Sequence, residues 1–202
     1  MLTFAPHTLE SAPAGARGTL KTVVEAWSFV PKLHGILAES PVALDAYEAL
    51  FSLAGRAPLP LDERQLVFLA VSAFHGCEYC VAGHTYLARQ AGLDEAVIRA
   101  VREGVQIADR RLQNLRDFTE TVVRKRGQAG DARVEDFLAA GFTRANLLEL
   151  VMIIATKTLS NYVNHLTHTP KEDFMSDPAL NWVAPVAEAV DPIHAGGNGK
   201  AP

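Results

Sequence analysis

The chain has 202 residues, long enough to bury a sizeable core in one domain. Hydrophobic residues make up 49% and charged residues 21%, a balance that excludes a disordered, charge-dominated chain. A formal net charge of −4 leaves no basic footprint for a nucleic-acid partner.

The N-terminus, MLTFAPHTLESAPAG, has no basic segment followed by an apolar one, so no export signal is read there. Residues 1–18 hold several Pro, Gly and small residues and read as an arm; 19–190 read as one helical domain and 191–202 as a flexible tail. Apolar periodicity predicts helices over about 19–29, 32–38, 41–54, 62–74, 78–91, 94–107, 110–126, 133–140 and 144–166. Ser40 is placed to cap the helix that Pro41 opens, and Gly55 to close it. Asp62 and Gln65 have capping-box spacing ahead of the apolar run Leu66–Phe74. Gly92 ends the helix that starts near Cys77, and Thr143 is placed to cap the long helix after it. The longest apolar run, Leu147 to Ala155 with Glu149 inside it, is too short to span a bilayer. No segment shows sustained period-two alternation, so the fold class is all-α.

Only two cysteines occur, in Ala73-Phe-His-Gly-Cys77-Glu-Tyr-Cys80-Val-Ala-Gly-His84. Two close cysteines are no disulfide framework, which points to a reducing, cytoplasmic setting where paired thiols serve catalysis or metal binding. Gly76 breaks one helix and Cys77 opens the next, where the positive helix end favours its thiolate. Cys80 at i+3 shares that face, and His84, at i+4 from Cys80, continues the stripe. A histidine there can take a proton from a thiol or shuttle one to a leaving hydroxide. A CxxC pair also suggests thioredoxin, but that fold needs a βαβ pattern, which is missing.

Other positions have plainer readings. Tyr79, between the cysteines, reads as a pocket wall, and His75 as a surface or interface residue. Trp27, Phe29 and the apolar positions of 147–159 read as core or subunit interface. Arg124, Lys125 and Arg126 complement the negative end of a helix. Asn161, Asn164, His165 and His168 form one polar stripe, read first as a solvated face; the sharper alternative sets His165 beside the thiols.

The stretch from Asp62 to about Gly104, including LAVSAFHGCEYCVAGHTYLARQAGLDEAVIRAVREG, resembles the carboxymuconolactone decarboxylase and AhpD-like alkylhydroperoxidase superfamily. It is most similar to the peroxidase-related branch. The later SNYVNHLTHTP also resembles that branch, less specifically. The resemblance implies an all-helical, AhpD-like homo-oligomer (dimer, trimer or hexamer) that reduces a hydroperoxide and is reset by an external dithiol donor. No cofactor, resident metal or membrane is implied. The second cysteine, Cys80, would attack the peroxide; Cys77 would resolve the sulfenic acid as a disulfide; His84 would belong to a proton relay. The family's relay carries a glutamate twelve positions before the first cysteine, where this chain has Gln65. Glu63 is two residues away, a rotation of about 200°, and faces elsewhere.

A carboxamide cannot accept the thiol proton, so Cys80 is expected to ionise unaided near the ordinary ~8.5. Peroxide reduction should then be slow and rise with pH, and Gln65→Glu should speed it ~10²-fold at pH 7. Two alternatives stay open: a zinc module with Cys77, Cys80 and His84 as ligands, strained on one helix face, and a non-catalytic redox-sensing oligomer.

Overall fold

Helix capping chemistry divides the chain much as its sequence suggests. The computed structural model describes residues 4–185. Among them are nine α-helices: α1 (Arg17–Trp27), α2 (Lys32–Leu37), α3 (Pro41–Gly55), α4 (Leu61–Phe74), α5 (Glu78–Gln90), α6 (Glu95–Glu103), α7 (Arg110–Arg124), α8 (Asp131–Ala139) and α9 (Arg144–Thr167). No strand occurs among the described residues. Ser40 Oγ accepts the Ala43 N–H at the start of α3, and Thr143 with Asn146 closes a full capping box on α9. No single helix among these is long and apolar enough to cross a membrane.

The capping box expected at Asp62 is absent. Pro60 stands at the N-cap of α4 without a side-chain cap bond, and Asp62 lies inside the first turn, accepting the Glu63 N–H. Gln65 is therefore free of capping and turns inward. Residues 66–71 of α4 are all at most 3% exposed. A helix apolar on all sides belongs at the centre, and α4 packs against α5, α6, α7 and α9.

Two clusters flank it. One joins α4 to Leu115, Phe118, Phe137, Phe142, Leu150 and Ile153, with Phe137 stacked between Phe118 and Phe142 at 4.4 Å each. The other joins Leu20, Leu33, Leu37, Leu44 and Tyr47 to Ala12 and Ala16. The stretch read as an N-terminal arm is thus packed from within its length, and His7 donates its N–H to Gly35 O at 3.0 Å. A Cβ at Gly35 would lie 2.6 Å from His7 O, so only glycine permits this approach. The tail read over 191–202 lies outside the described residues.

After α9 the chain folds back over α5. A 3-10 turn at Asp173–Ser176 brings Met175 and Leu180 against Ala82, while Trp182 donates its indole N–H to Arg102 O. This return segment has no counterpart among the helices read from the sequence.

Candidate functional site

Gly76, at φ +69°, lets the chain leave α4 and re-enter α5 one residue later. Cys77 is the N-cap of α5, not its first turn, and Cys80 occupies that turn. The start of α5 serves Cys77, whose thiol meets the Cys80 backbone N–H, but other contacts outweigh it. Both thiols are free and buried. Burial alone would push the Cys80 thiol up. A hydrogen bond from the Cys77 thiol, the Lys157 ammonium and the amides of Asn164 and Asn161 outweigh it and bring Cys80 below the ordinary thiol value. The same bond to Cys80, with burial and the charge on Cys80, raises Cys77. The two sulfurs titrate as a pair, with Cys80 the more acidic member.

His84 lies at the meeting of three helices. Its Nδ1 donates to Gln65 Oε1 at 2.9 Å, and its Nε2 accepts from Lys157 Nζ at 2.8 Å. Its ring stacks on Phe68 with centroids 4.8 Å apart. Burial, then Lys157, hold its pKa well below the ordinary histidine value, so it is a neutral acceptor. Gln65 therefore occupies the relay position physically but fixes a tautomer instead of taking a proton. Glu63 points the other way, clamped by Arg111 Nε and Nη2 at 2.8 and 3.2 Å.

The polar stripe of α9 is not the solvated face first read. Asn161 and Asn164 are buried, and Asn164 Nδ2 donates to Cys80 Sγ at 3.1 Å and Cys77 Sγ at 3.7 Å. His165 is exposed and takes no part in lining the thiol cavity, so its pocket assignment is corrected. The true stripe is Lys157, Ser160, Asn161 and Asn164, spaced i, i+3, i+4 and i+7. The missed signal was Lys157, a lone cation in an otherwise uncharged run, buried to 3% exposure. Ser160 Oγ stands 4.0 Å from Cys80 Sγ.

Cys80, His84 and Lys157 line a cavity of about 930 Å³ whose walls include Trp27, Phe29, Tyr47, Phe51, Tyr86 and Phe174; Cys77 lies outside it. Tyr79 also lines it, and its hydroxyl donates to Glu172 Oε1 at 2.8 Å in the return segment. His75 is half-buried between the Phe74 and Tyr162 rings, away from this cavity. Among the described residues no three His, Cys, Asp or Glu gather as a metal site, and both His84 nitrogens are engaged. The zinc alternative has no ligand set among the described residues.

Residues 41–120 match the carboxymuconolactone decarboxylase family. No curated protein sequence matches the chain. Among solved structures, an AhpD-core, peroxidase-related protein from Ralstonia eutropha JMP134 superposes with a TM-score of 0.73 at 23% identity, covering 86% of this chain and 95% of its own. A peroxidase-related protein from Silicibacter sp. TM1040 gives 0.70 at 20% identity, covering 80% and 87%. The debrominase Bmp8, as a cysteine-to-alanine variant holding 2,3,4-tribromopyrrole, gives 0.71 at 14% identity, covering 86% and 93%.

Proposed function

Starting from a chain with the AhpD-like helical fold and a carboxymuconolactone decarboxylase family match over residues 41–120, we propose a thiol-dependent peroxidase acting on organic hydroperoxides. The observation that carries this reading is the asymmetry of the thiol pair: Cys80, with its lowered pKa, faces the cavity, and Cys77, with its proton, does not. A nucleophile needs access and thiolate character, whereas a resolving thiol needs only its neighbour. Cys80 attacks the peroxide and becomes a sulfenic acid, releasing an alcohol. Cys77 then displaces water to form the disulfide, and an external dithiol returns both sulfurs to thiols. The aromatic walls favour the organic part of a bulky hydroperoxide over hydrogen peroxide itself.

Intact mass and thiol alkylation before and after one equivalent of cumene hydroperoxide test this. Loss of two alkylatable thiols and two mass units within one chain is expected; a stable sulfinic acid with Cys77 untouched would contradict it.

The same aromatic walls support a second reading, two-electron dehalogenation of a bromoarene by the thiol pair. The arene gains hydrogen in place of bromine, bromide leaves, and the thiols close to a disulfide. Incubating the reduced protein with tribromopyrrole and measuring bromide against disulfide separates the two.

A further inference from the structure

Buried polar atoms in folded proteins nearly always find a hydrogen-bond partner. Beside the thiols this chain breaks that rule three times. Asn161 is 0% exposed; its Oδ1 meets no partner among the described residues, and its Nδ2, although it faces the Cys80 sulfur, completes no hydrogen bond of full geometry. Asn164 Oδ1 is equally without one, although its Nδ2 reaches both sulfurs. The two residues lie one turn apart on α9, on the stripe that also carries Lys157 and Ser160. Ser160 Oγ is already engaged, donating to Lys157 O at 2.9 Å. A leucine would fill the volume of Asn161 without desolvating an unpaired amide, so packing does not explain this residue.

We propose that Asn161 and Asn164 form a carboxamide cradle for the oxygen that Cys80 carries between its oxidation and disulfide formation. This rests on the peroxidase reading. The Cys80 thiolate attacks the peroxide, the O–O bond breaks and an S–O bond forms. Sulfur gives up two electrons, and the alkoxide takes a proton from solvent to leave as an alcohol. The resulting S–O–H group offers one donor and an acceptor oxygen. Asn164 Nδ2, already directed at the sulfur, supplies a donor; Asn164 Oδ1 and both Asn161 amide atoms supply the unfilled capacity. When Cys77 attacks the Cys80 sulfur, the S–O bond breaks and the S–S bond forms. Hydroxide departs with the Cys77 proton as water, its developing charge met by the amide donors. Held in this way, the hydroxyl is also kept from meeting a second peroxide, which would carry sulfur on to the sulfinic acid.

The test uses the full chain with Cys77→Ser, which prevents resolution, treated with an excess of cumene hydroperoxide, which supplies the second oxidant that over-oxidation needs. Dimedone trapping and mass spectrometry then follow the Cys80 sulfenic acid over time. Adding Asn161→Leu should shorten its lifetime up to about tenfold, the worth of roughly one hydrogen bond, with sulfinic acid as product. The same substitution should raise Tm, because it removes a buried unpaired amide. A structural asparagine would do the reverse: Tm would fall and the sulfenic acid would persist. An unchanged lifetime, whatever the Tm, overturns the cradle. Asn161→Ala, which adds no bulk, is the second variant and should shorten the lifetime likewise. If the Cys77→Ser protein forms no oxygen adduct and Cys80 stays alkylatable, the peroxidase reading falls and the cradle with it.

Discussion

Lys157 answers the question that Gln65 raised. A buried ammonium costs several kcal/mol unless charge and hydrogen bonds compensate it. Here the compensation is a neutral His84 nitrogen at 2.8 Å, the face of Phe68 at 5.9 Å and the Cys80 thiolate. The thiol does not need a carboxylate to accept its proton when a fixed cation already favours its anion. The reaction is therefore expected to be nearly flat from pH 7 to 9 instead of slow and rising with pH. Lys157→Met keeps the stem length and removes the charge. It should move the pH profile of Cys80 alkylation upward, slowing the reaction on the order of tenfold for each pH unit the profile moves, below the wild-type midpoint, and only slightly at pH 7. Gln65→Glu should fall far short of the ~10²-fold gain of a positioned general base, because the thiolate is already present. A profile for wild type that climbs steadily through pH 8.5 would show that Lys157 does not reach the sulfur. Lys157 was hidden in the sequence because a single lysine in an apolar run reads equally well as a snorkelling surface residue.

At the scale of elements, α5 and the return segment close the cavity together. Tyr79 Oη and the backbone N–H of Lys32 both donate to Glu172 Oε1, at 2.8 and 2.6 Å, and Lys32 Nζ donates to Lys171 O at 2.6 Å. Glu172 is buried, so this carboxylate fastens α2, α5 and residues 171–176 at one point. Farther along, Arg102 holds Ala179 O and Asn181 O. Tyr79→Phe deletes one donor to a buried carboxylate, a loss of about 1–3 kcal/mol. Most of it should appear locally, as faster amide exchange over 172–177 with little change in α4. Uniform acceleration across the chain would mean that the segment unfolds only with the whole. Exchange that is unchanged would show the Tyr79 bond to be dispensable. The helices themselves were legible because caps such as Ser40 and Thr143 and the apolar periods are local signals. The return segment was not, since Met175, Leu180 and Trp182 lie in a stretch without helical apolar periodicity and their burial depends on partners far away in the chain.

Across the whole molecule, the site is a polar seam through the core, with Gln65 from α4, His84 and Cys80 from α5, and Lys157 and Asn164 from α9. The CxxC and His84 could be read from their spacing, but the seam could not, because α9 meets α5 only in the tertiary fold. Such a seam makes stability depend on pH, and the sign follows from two groups. Cys80 has a folded pKa below its unfolded value, so from about 8.5 downward the unfolded chain binds more protons than the folded one. His84 is likewise lowered, by burial and then Lys157, so below about 6.5 the unfolded chain binds one more. His75, lowered by burial and His165, acts in the same direction. Stability is therefore greatest near pH 8.5 and is lost as pH falls, at about 1.4 kcal/mol per pH unit for each such proton, and more steeply below 6.5. Denaturant unfolding of the reduced protein at intervals from pH 5.5 to 8.5 should give this two-slope curve. Cys80→Ala should flatten the upper branch and leave the lower one, whereas His84→Gln should reduce the lower slope and keep the upper. Stability that rises as pH drops from 8.5 to 6.5, or an upper branch indifferent to Cys80→Ala, would mean that the sulfur is protonated in the folded chain, and the thiolate on which the proposed chemistry depends would be absent at neutral pH.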